Sequence, residues 1–278
     1  MKLRQSGYPV ADICAAVGLA RSTFYHRQQQ HDEAGLREAL STLAADYPTY
    51  GYRRLTALLR RQSWQVNHKR VQRLIREMGL QRPVKRRKTR TTNSDHTFPR
   101  SPNLVRDAQA CHPDAIWVAD ITYVRLGQEF VYLAVIMDVF TRAVRGWHLS
   151  RSLDRHLTLT ALRRALAAGH RPLIHHSDQG LQYACQDYTG LLKQNRIQIS
   201  MAAVGKPEEN GFAERLMRTI KEEEVDLSEY RDFHDAYQRI GHFLDDLYTP
   251  KRIHSALGYL TPTEFEAQWH RQQSVAVS

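Results

Sequence analysis

The apolar positions of this chain follow two periods in turn. Up to about residue 80 they recur at three- and four-residue spacing, the helical period; from Ile116 onward strand-like runs alternate with helical ones. Tyr8 to Gly18 and then Leu19 to His26 read as helix, glycine turn, helix, with Val10, Ile13, Val17, Leu19 and Phe24 forming a small apolar face and Ser22 placed to cap the second helix. A second helical unit follows. Leu36 to Ala45 begins it, Tyr47 to Gly51 breaks it, and Arg53 to Arg61 resumes it. Asn67 then caps a helix over 68–78 that ends at Gly79 and carries the stripe Val71, Leu74, Ile75 and Met78.

From Gln81 to about Cys111 the periodicity lapses, which marks a linker. Strands are then predicted at 116–124, 130–138 and 143–149, the first two joined as a hairpin through Gly127-Gln128-Glu129. A helix from Asp154 to Ala168, a strand at Leu173–His176, a helix at 186–194, a strand at Ile197–Ser200 and a helix carrying Glu214 complete a mixed α/β core. Residues 231–247 read as an amphipathic helix with Phe233, Tyr237, Ile240, Phe243, Leu244 and Leu247 inward, and Thr261-Pro262 opens a short final helix bearing Phe265 and Trp269. The organisation is therefore a helix-turn-helix-like segment at 1–30, a second helical unit at 31–80, a basic linker at 81–111, an α/β core at 112–226 and a helical extension at 227–278.

Charge sharpens this division. The net +11 is one-sided: residues 1–111 hold 21 Lys/Arg against 8 Asp/Glu, or +13, and the remainder carries −2. A basic excess confined to the helical units and linker points to nucleic acid as the partner. In the helix-turn-helix reading, Arg21, Thr23, Tyr25 and His26 face a major groove. Lys69, Arg70, Arg73 and Arg76 lie off the apolar stripe and face phosphate, and Lys85, Arg86, Arg87 and Lys88 crowd the linker as a strap along a DNA backbone. The longest apolar run, Phe130 to Met137, is far short of the roughly 18 residues of a membrane span, and Asp12 breaks the early apolar stretch that a signal peptide needs. Cys14, Cys111 and Cys185 are scattered and odd in number, which fits reduced thiols in a cytoplasmic, nucleoid-associated protein and argues against a zinc-stapled domain.

Three acids carry the candidate chemistry. Asp120 interrupts the apolar strand IWVADITYV, Asp178 follows a second strand, and Glu214 lies in a helix, with 35 residues between the last two. Separated carboxylates on or beside strands suit an oxygen cage for a hard divalent cation. Two such ions about 3.5–4 Å apart stabilise both the attacking and the leaving oxygen of a displacement at phosphorus. Lys221 and Arg218 stand seven and four positions after Glu214 and share its helix face with Asn210, placing cations beside the site for DNA phosphate.

Four ordered motifs resemble a known family. Trp117-x-x-Asp120-Ile-Thr-Tyr123, His176-Ser-Asp178-x-Gly180 and Asn210-x-x-x-Glu214 are similar to the acidic motifs of the DDE transposase and retroviral-integrase superfamily, whose signature includes the 35-residue gap. Tyr248-x-x-x-Arg252-x-His254-Ser-Ala-Leu-Gly-Tyr-Leu-Thr-Pro262 resembles the closing motif of bacterial insertion-sequence transposases of the IS3 family, products of a second reading frame. The chain departs from many relatives at Glu208-Glu209, where Tyr-Asp is common.

The resemblance implies a ribonuclease-H-like integrase catalytic core, a five-stranded mixed sheet with helices, preceded by all-α DNA-binding units. It implies metal-dependent cleavage at insertion-sequence ends and transfer of the freed 3′-hydroxyl into DNA. Asp120 bridges two Mg²⁺ ions in that scheme, Asp178 and Glu214 each hold one, Mn²⁺ substitutes, and Lys221 contacts the DNA end. It further implies a homo-oligomer acting on paired ends and fusion to an upstream-frame polypeptide.

Other residues have plainer expected roles. His175 and His176 are expected as hydrogen-bonded supports, Asp138 as a strand terminus, and Glu222, Glu223 and Glu224 as solvated acids; Arg252 and His254 approach DNA. Two alternatives remain open at this point: a DNA-binding regulator without catalysis, and a ribonuclease-H-like nuclease.

Overall fold

A computed structural model of the chain describes residues 9–25, 33–81, 101–106, 108–203 and 206–277. Helices α1 (Val10–Ala16) and α2 (Arg21–Tyr25) flank Gly18, whose positive φ turns the chain. Ser22 lies inside α2, so it does not cap that helix, and Val17 and Leu19 are 58% and 39% exposed, outside any apolar face.

Helices α3 (Ala34–Asp46), α4 (Tyr52–Arg61) and α5 (His68–Glu77) form the second unit around Leu36, Leu40, Leu55, Leu59, Val71 and Leu74. Asn67 caps α5 by accepting a hydrogen bond from Lys69 N, and Gly79 ends it at positive φ. Ile253, from the closing motif far downstream, completes this core. Of the linker, residues 82–100 lie outside the described residues. Its end is packed on the core: Met201 N donates to Pro102 O, and Leu104 N to Ser200 Oγ.

The core sheet runs β3-β2-β1-β4-β5, from β1 (Ile116–Leu126), β2 (Glu129–Asp138), β3 (Val144–Ser150), β4 (Ile174–Ser177) and β5 (Gln198–Met201). The first three strands are antiparallel and the last two are parallel to β1, as the interleaving of helices after β3 requires. The Gly127-Gln128 loop closes the β1–β2 hairpin with Gly127 at positive φ.

Residues of even number on β1, such as Ile116 and Val118, face α9 (Gly211–Glu223) and α10 (Phe233–His242); Trp117 and Ala119 face α6 (Arg155–Ala167) and α8 (Gln186–Gln194). α6 sits so close to β3 that a Cβ at Gly146 would collide with the Ala161 carbonyl oxygen and lie 2.9 Å from Ala165 Cβ. Asp154 and Asp232 cap α6 and α10.

Three elements differ from the sequence expectation. A single turn, α7 (Leu181–Ala184), precedes α8. The amphipathic helix over 231–247 is α-helical only to His242 and continues as a π-helical turn over Phe243–Tyr248. The final helix, α11 (Pro262–Val277), has 16 residues and is not short.

Candidate active site

Strand pairing aligns the first two acids. The β1–β4 ladder pairs Ile116 with Ile174 and Val118 with His176, so Asp178, the first residue past β4, leaves the sheet near Asp120, which feels its charge. The even-numbered face of β1 is the one covered by α9, whose first turn carries Glu214 between the buried anchors Ala213 and Met217.

The electrostatics of Asp120 report the grouping. Burial, reinforced by the negative charges of Asp178 and Glu214, raises its pKa to about 7, while the Ile121 N–H at 2.8 Å and the Lys221 ammonium pull the other way. Asp178 Oδ1 accepts from Gly180 N at 3.0 Å, a local turn that fixes the second acid. A desolvated Asp120 that feels the charges of two half-buried carboxylates, with Lys221 as counter-charge, is an arrangement that a hard divalent cation relieves. The residues present thus fit such an ion.

Helical spacing places Asn210 on the exposed face with Arg218 and Lys221, and the structure corrects this. Asn210 is 5% exposed and donates from Nδ2 to Ala119 O at 3.2 Å, because the preceding 3₁₀ turn (Pro207–Asn210) rolls it beneath the helix. It pins the start of α9 to the strand beside Asp120. Arg218 is exposed on α9, and half-buried Lys221 lies close enough for Asp120 to feel its charge.

His175 and His176 support the site without facing it as ligands. His175 is buried, with Nε2 2.9 Å from the Tyr188 hydroxyl, and burial, helped by His176, pushes its pKa down to about 3. His176 Nδ1 lies 2.8 Å from Ser200 Oγ. Asp138 ends β2 fully buried and accepts from Thr141 N, Thr141 Oγ1 and Asp114 N.

Tyr183 on α7 is a residue that sequence reasoning misses. Its hydroxyl is buried without a hydrogen-bond partner among the described residues, and burial, with the charges of Tyr188, Asp120 and Asp178, drives its pKa well above normal. A tyrosine shortly after Asp178, in a segment without clear periodicity, gives no such signal.

The remaining sequence candidates fall elsewhere. Arg21 and Thr23 are exposed on α2; the side chain of Tyr25 and all of His26, Lys85, Arg86, Arg87 and Lys88 lie outside the described residues. On α5, Lys69 and Arg76 are exposed. Arg70 and Arg73, expected to face phosphate, are paired with Glu33, and Arg73 also with Glu77 at 2.7 Å.

Two further corrections concern the closing motif. Glu223 is not solvated: Arg252 grips it through two hydrogen bonds of 2.7 Å and Arg54 of α4 approaches to 3.1 Å. Arg252 is accordingly buried and structural, and His254, packed on Tyr248, has its pKa pushed to about 2 by burial and by Arg252. Glu224 accepts from Ser228 and Tyr230.

A second acidic cluster is also neutralised. The ligand atoms of Asp114, His170 and Glu266 lie within 4.8 Å of one another, and Arg145 spans them at 2.9 Å from Asp114 and 2.6 Å from Glu266. The guanidinium already balances these carboxylates, so the cluster ties α11 to the sheet.

Comparison with known proteins agrees with this layout. The integrase core domain family matches residues 110–207, a second integrase core family residues 195–262, and an HTH-like domain family residues 30–88. The transposase for insertion sequence element IS629 of Shigella sonnei is 32% identical over 283 residues, covering 97% of this chain and 95% of its own. The uncharacterized 31 kDa protein of insertion element IS600 from the same organism is 32% identical, covering 93% and 99%. Transposase InsF for insertion sequence IS3A of Escherichia coli (strain K12) is 30% identical over 94% of this chain and 95% of its own. Among solved structures, the HTLV-2 integrase catalytic core domain aligns with 57% of this chain and 99% of its own, with a TM-score of 0.47 and 17% identity. The helical units, the mixed five-stranded sheet and the relatives that span nearly the whole chain converge: the protein belongs to the insertion-sequence transposases of the IS3 family, with an integrase catalytic core.

Proposed function

We propose that this chain cuts DNA at the ends of an insertion sequence and joins the freed 3′-hydroxyl to a second DNA. The observation that supports this reading is that Asp120, buried and within reach of the charges of Asp178, Glu214 and Lys221, has its pKa raised to about 7. Membership of the transposase family supports DNA transposition as the process.

In the first step, water attacks the phosphorus at the element end and the bond to the 3′-oxygen breaks, releasing a 3′-hydroxyl. In the second, that hydroxyl attacks a phosphodiester of the target, joins its 5′-phosphate and releases the target's own 3′-oxygen. No covalent link to the enzyme is required. Asp120, Asp178 and Glu214 would hold divalent metal, Mg²⁺ or Mn²⁺, which when bound stabilises the charge developing on the attacking and leaving oxygens. Lys221 holds the phosphate of the DNA end against the carboxylates. Asn210 fixes the α9 start against β1, and the neutral, buried His175 and His176 keep the β4 end rigid beneath Asp178. The helix-turn-helix-like units and the basic linker select and grip the DNA, and paired ends imply a homo-oligomer.

The test is a denaturing-gel assay with labelled duplexes carrying the element's own ends, wild type against Glu214→Gln, with Mg²⁺ or with chelator. Metal-dependent cleaved and joined products that vanish in the variant are expected. Tight binding with no product under any metal condition would overturn the catalytic reading in favour of a DNA-binding regulator.

A further inference from the structure

A cleft of about 970 Å³ opens beside the first turn of α9, between the start of β1, the turn after β2, the short 3₁₀ turn Ser255–Leu257 and the described end of the linker, where Arg106 pairs with Glu209 at 2.8 Å. Apart from Asn210 and the linker, no residue lining it has a role in the scheme above. Its lining combines two features that proteins seldom leave idle.

The first is a pair of arginines without carboxylate partners among the described residues, Arg142 and Arg215. Arg142 adopts φ 65°, a conformation uncommon outside glycine, and is locked in it by the turn in which its N–H donates to Asp138 O at 2.9 Å. Its guanidinium lies over the Phe212 ring at 4.2 Å, while the nearby Asp138 carboxylate is occupied by Thr141 and the Asp114 N–H. Placed over the ring, the guanidinium keeps its charge at the cleft wall, where an anion can meet it.

The second is aromatic surface beside a buried amide: Asn210 lines the cleft with its Nδ2 committed to Ala119 O, and its Oδ1 is shut off from solvent without a hydrogen-bond partner among the described residues. Phe140 and Phe265, 5.2 Å apart, supply further aromatic surface.

We propose that this cleft takes a single unstacked nucleotide of a bound DNA strand, a reading that rests on the DNA-cutting role proposed above. The base lies against the Phe212 and Phe140 side of the cleft, and Arg142 and Arg215 take its phosphate. Aromatic and guanidinium surfaces stack any base, and paired arginines neutralise backbone charge. The volume lies within the roughly 300–1,000 Å³ of small-ligand sites. Asn210 joins the cleft to the strand position next to Asp120, so a nucleotide seated there borders the reacting phosphate. Drawing one nucleotide out of the stack costs free energy, least where the base is unpaired.

The test places 2-aminopurine, and separately an abasic site, at each position within several nucleotides of the cut in duplexes of the element's end. Wild type is compared with Arg142→Asn, which tolerates positive φ, with Phe212→Leu at a ring already 46% exposed, and with Glu214→Gln; thermal melting confirms that each variant folds. One position is expected to brighten several-fold on binding in wild type and in Glu214→Gln, and to stay dark in the other two. An abasic site at that position should bind at least as tightly as the intact strand. Wild type that binds and cuts while no position brightens, or a full-size rise retained by Arg142→Asn or Phe212→Leu, would overturn the pocket and leave the cutting role intact. Wild type that neither binds nor cuts the ends would overturn the cutting role, and the pocket with it.

Discussion

Asp120 is a half-buried acid whose nearest charges include two more acids, and its proton balance is the sharpest single-residue handle on the site. Its pKa of about 7 exceeds the ordinary 3.8, so between those values the folded protein holds a proton that the unfolded chain has released. Stability in the absence of metal therefore falls as pH rises through that window. Asp120→Asn removes the charge and keeps an acceptor for Ile121 N. In chelator at pH 8 it should melt roughly 5 °C above wild type, at about 2–4 °C per kcal/mol for a chain of this size, and at pH 5 the gap should shrink. Added Mg²⁺ should raise the wild-type melting temperature and leave the variant unmoved, a comparison that needs no activity.

Asp120 draws attention in the sequence because it breaks an apolar strand; Asp178 and Glu214 draw it only through the spacing of the motifs in which they sit. The roles of Asn210, Tyr183 and Glu223 are not legible there, because what decides them lies across the fold. Ala119 is 91 positions from Asn210 and Arg252 is 29 from Glu223. No local pattern distinguishes a solvated glutamate from one gripped by a distant arginine.

Among the elements, the strands and longer helices follow periodicity closely, and the departures gather where packing overrides it. The π-helical turn after His242 is one case, set where Trp147 packs against Gly241: a Cβ there would lie 2.9 Å from the indole. Gly146 is the tighter contact. Gly146→Ala should push α6 off β3 and lower stability by about 1–3 kcal/mol or more, measured by urea unfolding. Removing the Arg252 end of its pair with Glu223 strands a buried carboxylate, so Arg252→Ala should cost about 3–5 kcal/mol, whereas the double change Glu223→Gln with Arg252→Met should recover much of it. Burial raises the Glu223 pKa but the Arg252 hydrogen bonds outweigh it, and the net value is below 4.5. The pair therefore stabilises above pH 4.5 and weakens as pH falls below it; an acid-unfolding curve should show this slope in wild type and lose it in the double variant.

For the whole molecule, the basic excess lies in the N-terminal helical units and linker, yet on α5 individual cations differ in their surroundings. Arg70 and Arg73 are already paired with Glu33. Replacing Lys85, Arg86, Arg87 and Lys88 with glutamine should flatten the dependence of log affinity on log salt by about 0.9 for each phosphate no longer neutralised. Replacing Arg70 and Arg73 should change that slope little, as salt titrations of end binding would reveal.

The docking of the helical unit has a mechanical side. Arg54 of α4 holds Glu223 at one end of α9, and the same helix carries Glu214 nine residues away, about 13–14 Å at 1.5 Å per residue. A helix barely stretches along its axis. A shift of the helical unit as it seats on DNA would therefore travel down α9 like a push-rod and move the third carboxylate by a similar amount. Under the proposed chemistry, the spacing of the three acids would then register whether the right DNA is held before anything is cut.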